Sequence, residues 1–303
     1  MRGTLIVAAL ALSACASAGA PEAAEHAATP TPVPSVQEIL DQSPASDWRP
    51  LDPENTLYME LPQGRVIIEL APHFAPNHAA NIRTLTRARF FDGGAIVRSQ
   101  DNYVVQWGRP DGDEGPRGSA AATVAGEITV PSSSVPFSRF VDPDTYAPQV
   151  GYSDGFPVAR SGNQTWLVHC YGMVGSGRGD GLDSGSGDSL YAVNGQMTRN
   201  LDRNITLVGR VVQGMDILST MKRGTQALGF YATAEERTPI RTVRLAADVP
   251  AAQRTNLETL RTDSATWARL VDSRRTRRDS FFSANPVNRL GVCNISVPVR
   301  PVH

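Results

Sequence analysis

Residues 96–112 read IVRSQDNYVVQWGRPDG, and this short stretch decides how the rest of the chain is interpreted. From Tyr103 onward the residues alternate as in a β-strand. The alternation assigns them to two faces of that strand, with Tyr103, Val105 and Trp107 on one and Val104, Gln106 and Gly108 on the other. Arg98 follows an apolar pair and precedes the turn-rich run 99–102. The local pattern alone leaves two interpretations of Arg98 open, a solvated loop charge and a functional side chain.

A hairpin and a helix are predicted ahead of this stretch. The runs TLYMEL at 56–61 and RVIIEL at 65–70 are rich in β-forming residues and are joined by a Pro-Gln-Gly turn, which predicts a β-hairpin. Pro76 suits the first turn of a helix. Apolar residues then follow helical spacing until the run Asp92-Gly93-Gly94, so the helix is expected to end by Phe91.

The run from Arg65 to Gly108 resembles the N-terminal half of a cyclophilin-type peptidyl-prolyl cis-trans isomerase. RVIIELAPHFAPNHAANI is similar to the opening strand and helix of that family, and FFDGGAIVRSQDNYVVQWG is similar to its signature around the catalytic arginine. The spacing within this block is kept without a gap. The resemblance places Arg98 on the catalytic arginine, and in the binding groove Tyr103 on a phenylalanine, Val104 on a methionine and Gln106 on a glutamine.

The second half of the chain resembles the family with more substitutions. GMVGSGRGDGLDSGSGDSLYAVNG is similar to the glycine-rich strand and loop of the family, with Ser189, Leu190 and Tyr191 in place of glutamine and two phenylalanines. NLDRNITLVGRVVQGMDIL is similar to a later stretch, in which Leu201 and Asp202 are kept while Asn200 replaces a tryptophan and Ile205 a histidine. The resemblance covers about residues 55–248 and is interrupted by an insertion at about 113–165 that is rich in proline, glycine and serine.

The expected fold is mainly β. Several short strands, two helices and glycine-rich turns favour a closed antiparallel barrel over a βαβ sheet. The resemblance implies an eight-stranded barrel with a helix capping each open end, in a domain spanning residues 47–249. Residues 250–303 form a C-terminal extension, in which one helical stripe predicts a packed helix between Pro250 and Arg278. The stripe consists of Leu257, Leu260, Trp267 and Val271.

The resemblance implies isomerisation of X-Pro peptide bonds, and the N-terminus described below makes envelope proteins, whose folding it would assist, the expected substrates. A guanidinium is permanently charged and can donate a hydrogen bond to the prolyl nitrogen of the twisted transition state, so Arg98 is the expected catalytic group and no metal or cofactor is required. The expected substrate-binding residues are Tyr103, Val104, Gln106, Ser189, Tyr191, Leu201 and Ile205. The substitutions at Ser189 and Ile205 leave a second interpretation open, a proline-peptide-binding or scaffolding protein whose catalysis has decayed.

The N-terminus predicts export. Residues 1–15 contain a short apolar run and end in Leu-Ser-Ala-Cys, which resembles a bacterial lipobox with Cys15 as the lipidated residue, although an ordinary signal peptide is an alternative. Ala16 rather than aspartate follows the cysteine, so the expected place is the outer membrane of a Gram-negative bacterium, facing the periplasm. Residues 16–46 are rich in alanine and proline and predict a flexible tether, with a short helix at Val36 to Gln42 capped by Ser35.

The remaining cysteines, histidines and charges restrict the other classes of site. If Cys15 carries the lipid, Cys170 and Cys293 remain as two cysteines in an oxidising compartment. They are expected to form either a disulfide or two buried thiols. The aspartate-rich loop 178–188 lacks the calcium-loop register, and the close pair His73 and His78 is expected at the surface, so no metal site is predicted. A net charge of -1 gives no indication of a nucleic-acid partner.

Overall fold

Antiparallel β-strands make up most of the regular structure. The computed structural model describes residues 34–110, 113–277, 281–284 and 288–302. The strands are β1 Trp48–Pro50, β2 Thr56–Leu61, β3 Gly64–Leu70, β4 Ala95–Ser99, β5 Val104–Gly108, β6 Val130–Pro131, β7 Ser138–Arg139, β8 Gln149–Ser153, β9 Phe156–Ser161, β10 Gln164–Leu167, β11 Met173–Ser176, β12 Leu190–Val193, β13 Leu207–Gln213, β14 Thr238–Pro239, β15 Thr242–Leu245, β16 Leu257–Leu260 and β17 Val299–Pro301. The α-helices are α1 Val36–Asp41, α2 Pro76–Arg87, α3 Met215–Ser219 and α4 Ala265–Arg275.

Short 3-10 helices connect many of these elements. They span Ala45–Asp47, Pro53–Asn55, Ser132–Ser134, Leu182–Ser184, Arg199–Leu201, Ala227–Gly229, Ala234–Glu236, Ala246–Asp248 and Ala251–Gln253. No helix in the described part of the chain is long and apolar enough to cross a membrane. The predicted signal peptide, the lipidation site Cys15 and the tether up to residue 33 lie outside the described residues.

The strands form three sheets, of which the largest has nine strands in the order β14-β4-β5-β12-β11-β13-β3-β2-β15. The two end strands are neighbours in sequence, separated only by Ile240 and Arg241, so the sheet curls until its edges approach each other. They are not hydrogen-bonded to each other, because β14 pairs with β4 whereas β15 pairs with β2. The molecule thus has a curled antiparallel half-barrel, and the prediction of a closed eight-stranded barrel is not confirmed.

The predicted hairpin and first helix are both present. β2 and β3 pair in register from Thr56 opposite Glu69 to Leu61 opposite Gly64. α2 starts at Pro76 and packs its apolar face into the interior of the curled sheet, where Ile82 and Leu85 are fully buried. Ala75 cannot cap this helix with its side chain, and the carboxylate of Glu127 in the insertion accepts from the backbone N–H groups of Asn77 and His78 at 2.9 Å instead.

The insertion has a regular structure that its composition did not indicate. It contributes β6 to β9 and the start of β10, which form a five-stranded sheet in the order β6-β10-β9-β8-β7. Its apolar residues join a second core together with residues from the outer face of the curled sheet and from both ends of the described chain, including Ile39, Trp48, Val104, Phe140, Val158, Trp166, Tyr191, Trp267 and Ile295. The nine-stranded sheet is therefore covered on both of its faces.

The C-terminal extension is helical only in part, so the prediction of one helix from Pro250 to Arg278 is wrong for its first half. Leu257–Leu260 is strand β16, which lies between β1 and β17 in a three-stranded sheet. Helical spacing cannot reveal this pairing, because the partner strands lie about 40 to 210 residues away in sequence. α4 begins only after Ser264, whose hydroxyl accepts from the Trp267 N–H at 3.1 Å.

The short helix predicted within the tether is also present. Ser35 caps α1 in a capping box with Glu38. Ile39 is fully buried, and α1 packs against α4. Ordered structure therefore begins ahead of residue 47, where the domain was expected to start.

A disulfide ties the C-terminal tail to the half-barrel domain. Cys170 and Cys293 are bonded, with 2.05 Å between their sulfur atoms. Near the bond, the Tyr152 hydroxyl contacts the carbonyl oxygens of Val292 at 2.8 Å and Ile295 at 2.7 Å. The tail is therefore held by a covalent bond, by polar contacts and by burial of Val292 and Ile295.

Loss of this disulfide should destabilise the protein strongly. The bonded residues are 123 positions apart, and for a loop of this length the chain-entropy model gives on the order of 5 kcal/mol. We expect Cys293→Ser to lower the free energy of unfolding by about this amount, as measured by denaturant titration. Wild type in reductant should unfold like the variant, and a variant as stable as the oxidised wild type would contradict the expectation.

Candidate active site

One row of paired residues crosses the outer face of the curled sheet and carries the candidate site. Arg98 on β4 pairs with Gln106 on β5, Gln106 pairs with Tyr191 on β12, and Tyr191 pairs with Gly175 on β11. A β-carbon at Gly175 would lie 2.3 Å from the Tyr191 side chain. Glycine is therefore required where the tyrosine crosses β11, and the row places a cation, a carboxamide and an aromatic ring side by side.

Arg98 is held in a fixed orientation by neutral acceptors and two aromatic rings. Its Nε donates to the Leu228 carbonyl oxygen at 2.6 Å, its Nη1 donates to Gln106 Oε1 at 3.2 Å, and its Nη2 donates to Gln100 Oε1. The guanidinium carbon lies 5.4 Å from the ring centre of Tyr103 and 5.2 Å from that of Phe230. Burial lowers the pKa of Arg98, but an arginine remains protonated in proteins.

These contacts leave part of the guanidinium for a ligand. Arginine has five N–H groups, and the three contacts found among the described residues use three of them. The remaining N–H groups belong to Nη1 and Nη2. The side chain is half-buried, so a ligand that approached it would meet a pre-oriented and partly desolvated cation.

Gln106 is oriented from both ends of its carboxamide. Its oxygen accepts from Arg98, and its Nε2 donates to the Ser189 hydroxyl at 2.9 Å. Because the amide carries a second N–H, it can still donate to a ligand. Ser189 thus orients the Gln106 amide, and its contact with the substrate stays a prediction.

Tyr191 belongs to a buried polar chain that continues into the insertion. The Tyr191 hydroxyl lies 3.0 Å from His169 Nε2, and His169 Nδ1 lies 3.1 Å from Asp202 Oδ1. The Arg199 guanidinium forms ion pairs with Asp202 at 2.8 Å and with Asp144 of the insertion at 2.9 Å, so it links the two carboxylates. The position of the Tyr191 ring thus depends on residues outside the curled sheet.

Burial and charge fix the protonation of this chain at two places. Burial raises the pKa of the Tyr191 phenol far above its ordinary value, so the hydroxyl stays neutral and can donate. Burial alone would raise the pKa of Asp202, but the His169 hydrogen bonds and the Arg199 charge outweigh it and hold that pKa below its ordinary value. An ionised Asp202 can accept from His169 Nδ1, so the carboxylate, the imidazole and the Tyr191 hydroxyl form one continuous chain of polar contacts.

The expected apolar residues lie around this row but differ in exposure. Val104 and Tyr191 are only 2% and 4% exposed and belong to the second core. Tyr103 and Ile205 are half-buried and pack against that core, while Leu201 ends a short 3-10 helix and is also half-buried. Tyr103 does not share a face with Val105 and Trp107 as the alternation predicted, because β5 begins only at Val104.

Four residues that shape the site were not predicted from the sequence. Gln100, Leu228 and Phe230 surround Arg98, and His169 holds Tyr191. Gln100 lies within the opening stretch, two positions from Arg98, so its proximity could have been noticed. Leu228 and Phe230 lie about 130 residues from Arg98 in sequence, and no local pattern connects them to it.

Within the described part of the chain, no three His, Cys, Asp or Glu residues converge as a metal site. In the loop 178–188, Asp183 accepts from the Gly126 N–H at 2.7 Å and Asp188 pairs with Arg117 at 2.8 Å. The prediction of two surface histidines is wrong for His78, which is 2% exposed and lies 2.8 Å from Glu127. Its burial follows from the capping role of Glu127 at α2.

Asp202→Asn should change the dependence of stability on acid. Because the folded-state pKa of Asp202 lies below the ordinary value of 3.8, the ionised form stabilises the fold above that pH, and the contribution is lost as pH falls through the folded pKa. The difference in unfolding free energy between wild type and variant should be constant near neutrality and shrink below about pH 4.

Denaturant titrations from neutral pH to about pH 2 measure this difference. Asp263→Asn is a matched control, because Asp263 forms an exposed ion pair with Arg261, and such pairs contribute about 1 kcal/mol or less. A difference for Asp202→Asn that does not depend on pH would contradict the assigned role of the carboxylate.

Comparisons with known proteins identify the family of the chain. The family model of cyclophilin type peptidyl-prolyl cis-trans isomerase/CLD matches residues 56–246. A probable peptidyl-prolyl cis-trans isomerase of Brucella suis is 29% identical over 177 residues, covering 58% of this chain and 76% of the relative. A peptidyl-prolyl cis-trans isomerase-like 2 protein of Gibberella zeae is 27% identical over 164 residues, covering 54% of this chain and 22% of the relative.

A solved structure is similar in fold over most of the chain. The crystal structure of cyclophilin AquaCyp293 from Hirschia baltica matches with a TM-score of 0.66 at 23% identity, covering 87% of this chain and 96% of that one. The family match includes the whole row from Arg98 to Tyr191. The chain belongs to the family of cyclophilin-type peptidyl-prolyl cis-trans isomerases, and it is an isomerase of that class.

Proposed function

We propose that this isomerase acts on X-Pro bonds of proteins in the bacterial envelope, assists their folding, and uses Arg98 as its catalytic group. The observation that carries the proposal is the row formed by Arg98, Gln106 and Tyr191, in which a pre-oriented cation retains free N–H groups. Such a cation next to an apolar surface suits a substrate that is an uncharged peptide bond.

The chemistry requires no nucleophile. Rotation about the X-Pro bond has a barrier of about 18–20 kcal/mol because it breaks the amide resonance. In the twisted transition state the prolyl nitrogen becomes pyramidal and regains a lone pair. A hydrogen bond from Arg98 to that nitrogen forms only in this state, so it lowers the barrier rather than only strengthening substrate binding.

The other residues of the site would bind and orient the peptide. The free N–H of Gln106 donates to a substrate carbonyl, which positions the prolyl bond beside the guanidinium. Tyr103, Leu201 and Ile205 contact the proline ring from the sides, and the buried Val104 and Tyr191 form the floor beneath it. Because proline binding here depends on shape, a rigid floor held by His169 favours one orientation of the ring.

One observation favours a second function, the binding of proline peptides without substantial catalysis. Val104 and Tyr191 are almost fully covered by the second core, which leaves a shallow surface for the proline ring. A shallow site binds substrate weakly and gives less control over the twist of the bond. If the protein is a scaffold, it binds proline peptides but does not accelerate their isomerisation. Measuring both binding and isomerisation of the same peptides therefore distinguishes the two functions.

Arg98→Ala should abolish most of the isomerase activity. Removing one transition-state hydrogen-bond donor typically costs about a hundredfold to a thousandfold in rate, and we expect a loss in that range in kcat/KM on a proline tetrapeptide. Arg98→Lys should recover little, since a point charge cannot reproduce the planar fork. The melting temperature should change little, because the side chain lies at the outer surface of the sheet and is half-buried.

Arg87→Ala is the matched control for this experiment. Arg87 lies on α2, is about half exposed and pairs with Glu54 and Asp248, so its loss removes a guanidinium without touching the site. An Arg98→Ala variant as fast as wild type would refute the catalytic assignment. A wild type that binds the peptides but does not exceed the uncatalysed rate would favour the scaffolding function.

The envelope location rests on the sequence of residues 1–15 and on the lipobox-like ending at Cys15. We expect Cys15→Ala to release the protein from membranes, because the thioether-linked lipid can no longer form. Fractionation of cells that express wild type and variant, followed by immunoblotting, measures the distribution. Ser13→Ala, which keeps the cysteine, serves as the control, and a Cys15→Ala variant that stays wholly in the lipid fraction would contradict the anchor.

A further inference from the structure

The 224–230 loop, with the sequence GTQALGF, is fastened to the strand that carries Arg98. At one end the Gly224 N–H donates to the Ser99 carbonyl oxygen at 2.9 Å, and just past the other end the Tyr231 N–H donates to the Val97 carbonyl oxygen at 3.1 Å. Between these points Phe230 forms a β-bridge with Arg98 itself. The loop is thus anchored on both sides of the catalytic arginine.

The loop presents two large apolar side chains to solvent at this place. Leu228 is 65% exposed and Phe230 is 38% exposed. Leu228 also has a φ of +57°, a left-handed conformation that is uncommon for residues other than glycine and asparagine. That backbone conformation accompanies the contact between its carbonyl oxygen and Arg98 Nε at 2.6 Å.

The packing of the loop keeps this arrangement rigid. Gly229 has a φ of +79°, and a β-carbon there would lie 2.7 Å from the Cα of Gln100. A β-carbon at Gly224 would lie 2.0 Å from the Gly229 carbonyl oxygen. Both glycines allow close approach of two backbone segments, so the two apolar side chains stand on a supported surface next to the site.

We propose that Leu228 and Phe230 form a second substrate subsite, which accepts an aliphatic or aromatic side chain from a residue that flanks the X-Pro unit. This proposal rests on the proposed function of Arg98. If Arg98 contacts the prolyl bond, the substrate backbone passes close to the backbone of Leu228 and to the ring of Phe230. The Leu228 carbonyl oxygen and the Phe230 ring centre lie 2.6 Å and 5.2 Å from atoms of the same guanidinium.

The length of a peptide supports this assignment. An extended chain advances at most about 3.3–3.6 Å per residue, so a side chain one or two residues from the proline reaches the loop without a bend. The loop itself has no charged residue, and burying part of two exposed apolar side chains against another apolar side chain is favourable. The occupant is therefore an apolar residue of the same peptide, continuous with the catalytic site.

Peptide specificity tests the subsite. Two series of proline peptides vary the residue before or after the X-Pro unit among Ala, Leu, Phe and Glu. For wild type we expect kcat/KM and binding affinity to be about fivefold to tenfold higher for Leu or Phe than for Ala in one of the two series. Leu228→Asn removes the apolar side chain while suiting the left-handed backbone, and Phe230→Ser removes the second one. Each should reduce this preference to about twofold or less.

Phe230→Leu keeps an apolar surface and should retain most of the preference. Val141→Ser is the matched control, because Val141 is 76% exposed and lies against α4, in a cavity that Trp267 and Val271 also line. Equal rates and affinities for all peptides with wild type, or an unchanged preference in both Leu228→Asn and Phe230→Ser, would overturn the subsite. Affinity is measured by fluorescence anisotropy, so a chain that binds without isomerising would refute catalysis while still testing the subsite.

Discussion

A single β-bulge at Val97 is the constraint on which the site depends. Ile96 pairs with Trp107, but the register then shifts so that Arg98, not Val97, pairs with Gln106. Without the shift, Arg98 would follow the strand alternation of Ile96 and point into the apolar interior where Ile96 and Trp107 lie. The bulge turns the guanidinium to the outer face, where Gln106 and Tyr191 are its neighbours. It also explains how an arginine can directly follow an apolar pair in the sequence.

The outer face on which the row lies is also the boundary between two cores. The inner core fills the curled sheet, and the second core joins that sheet to the insertion and to both ends of the described chain. Tyr191 belongs to the second core and is tied to Asp144 of the insertion through His169, Asp202 and Arg199. Cys170, next to His169, is bonded to the tail. The insertion, and the C-terminal tail that lies outside the family match, therefore support the floor of the site as well as their own fold.

The sequence predicts an element correctly where the contacts that determine it are local. It fails where those contacts join residues that are distant in sequence. The hairpin and α2 follow from residues at most 15 positions apart, and both are present. Leu257–Leu260 was wrongly predicted as helix because its strand partners lie far away in sequence. The same holds for Leu228 and for His169, whose roles arise from contacts between distant segments. The sheet of the insertion was missed because its strands are short and separated by proline and glycine turns, so that composition hides the alternation.

The choice of partners around Arg98 bears on the catalytic role proposed for it. Its contacts are two carboxamide oxygens and one backbone carbonyl oxygen, all of them neutral. A carboxylate in place of either carboxamide would hold the guanidinium equally well, but it would neutralise the charge that the proposed mechanism directs at the prolyl lone pair. Neutral acceptors fix the direction of the N–H groups and leave the field of the cation intact. Partial burial strengthens that field, since less water screens it, and the high intrinsic pKa of arginine lets the charge survive the burial that lowers its pKa. A lysine at this position would titrate more readily under the same burial, so the site combines orientation and permanent charge in a way that only a guanidinium supplies.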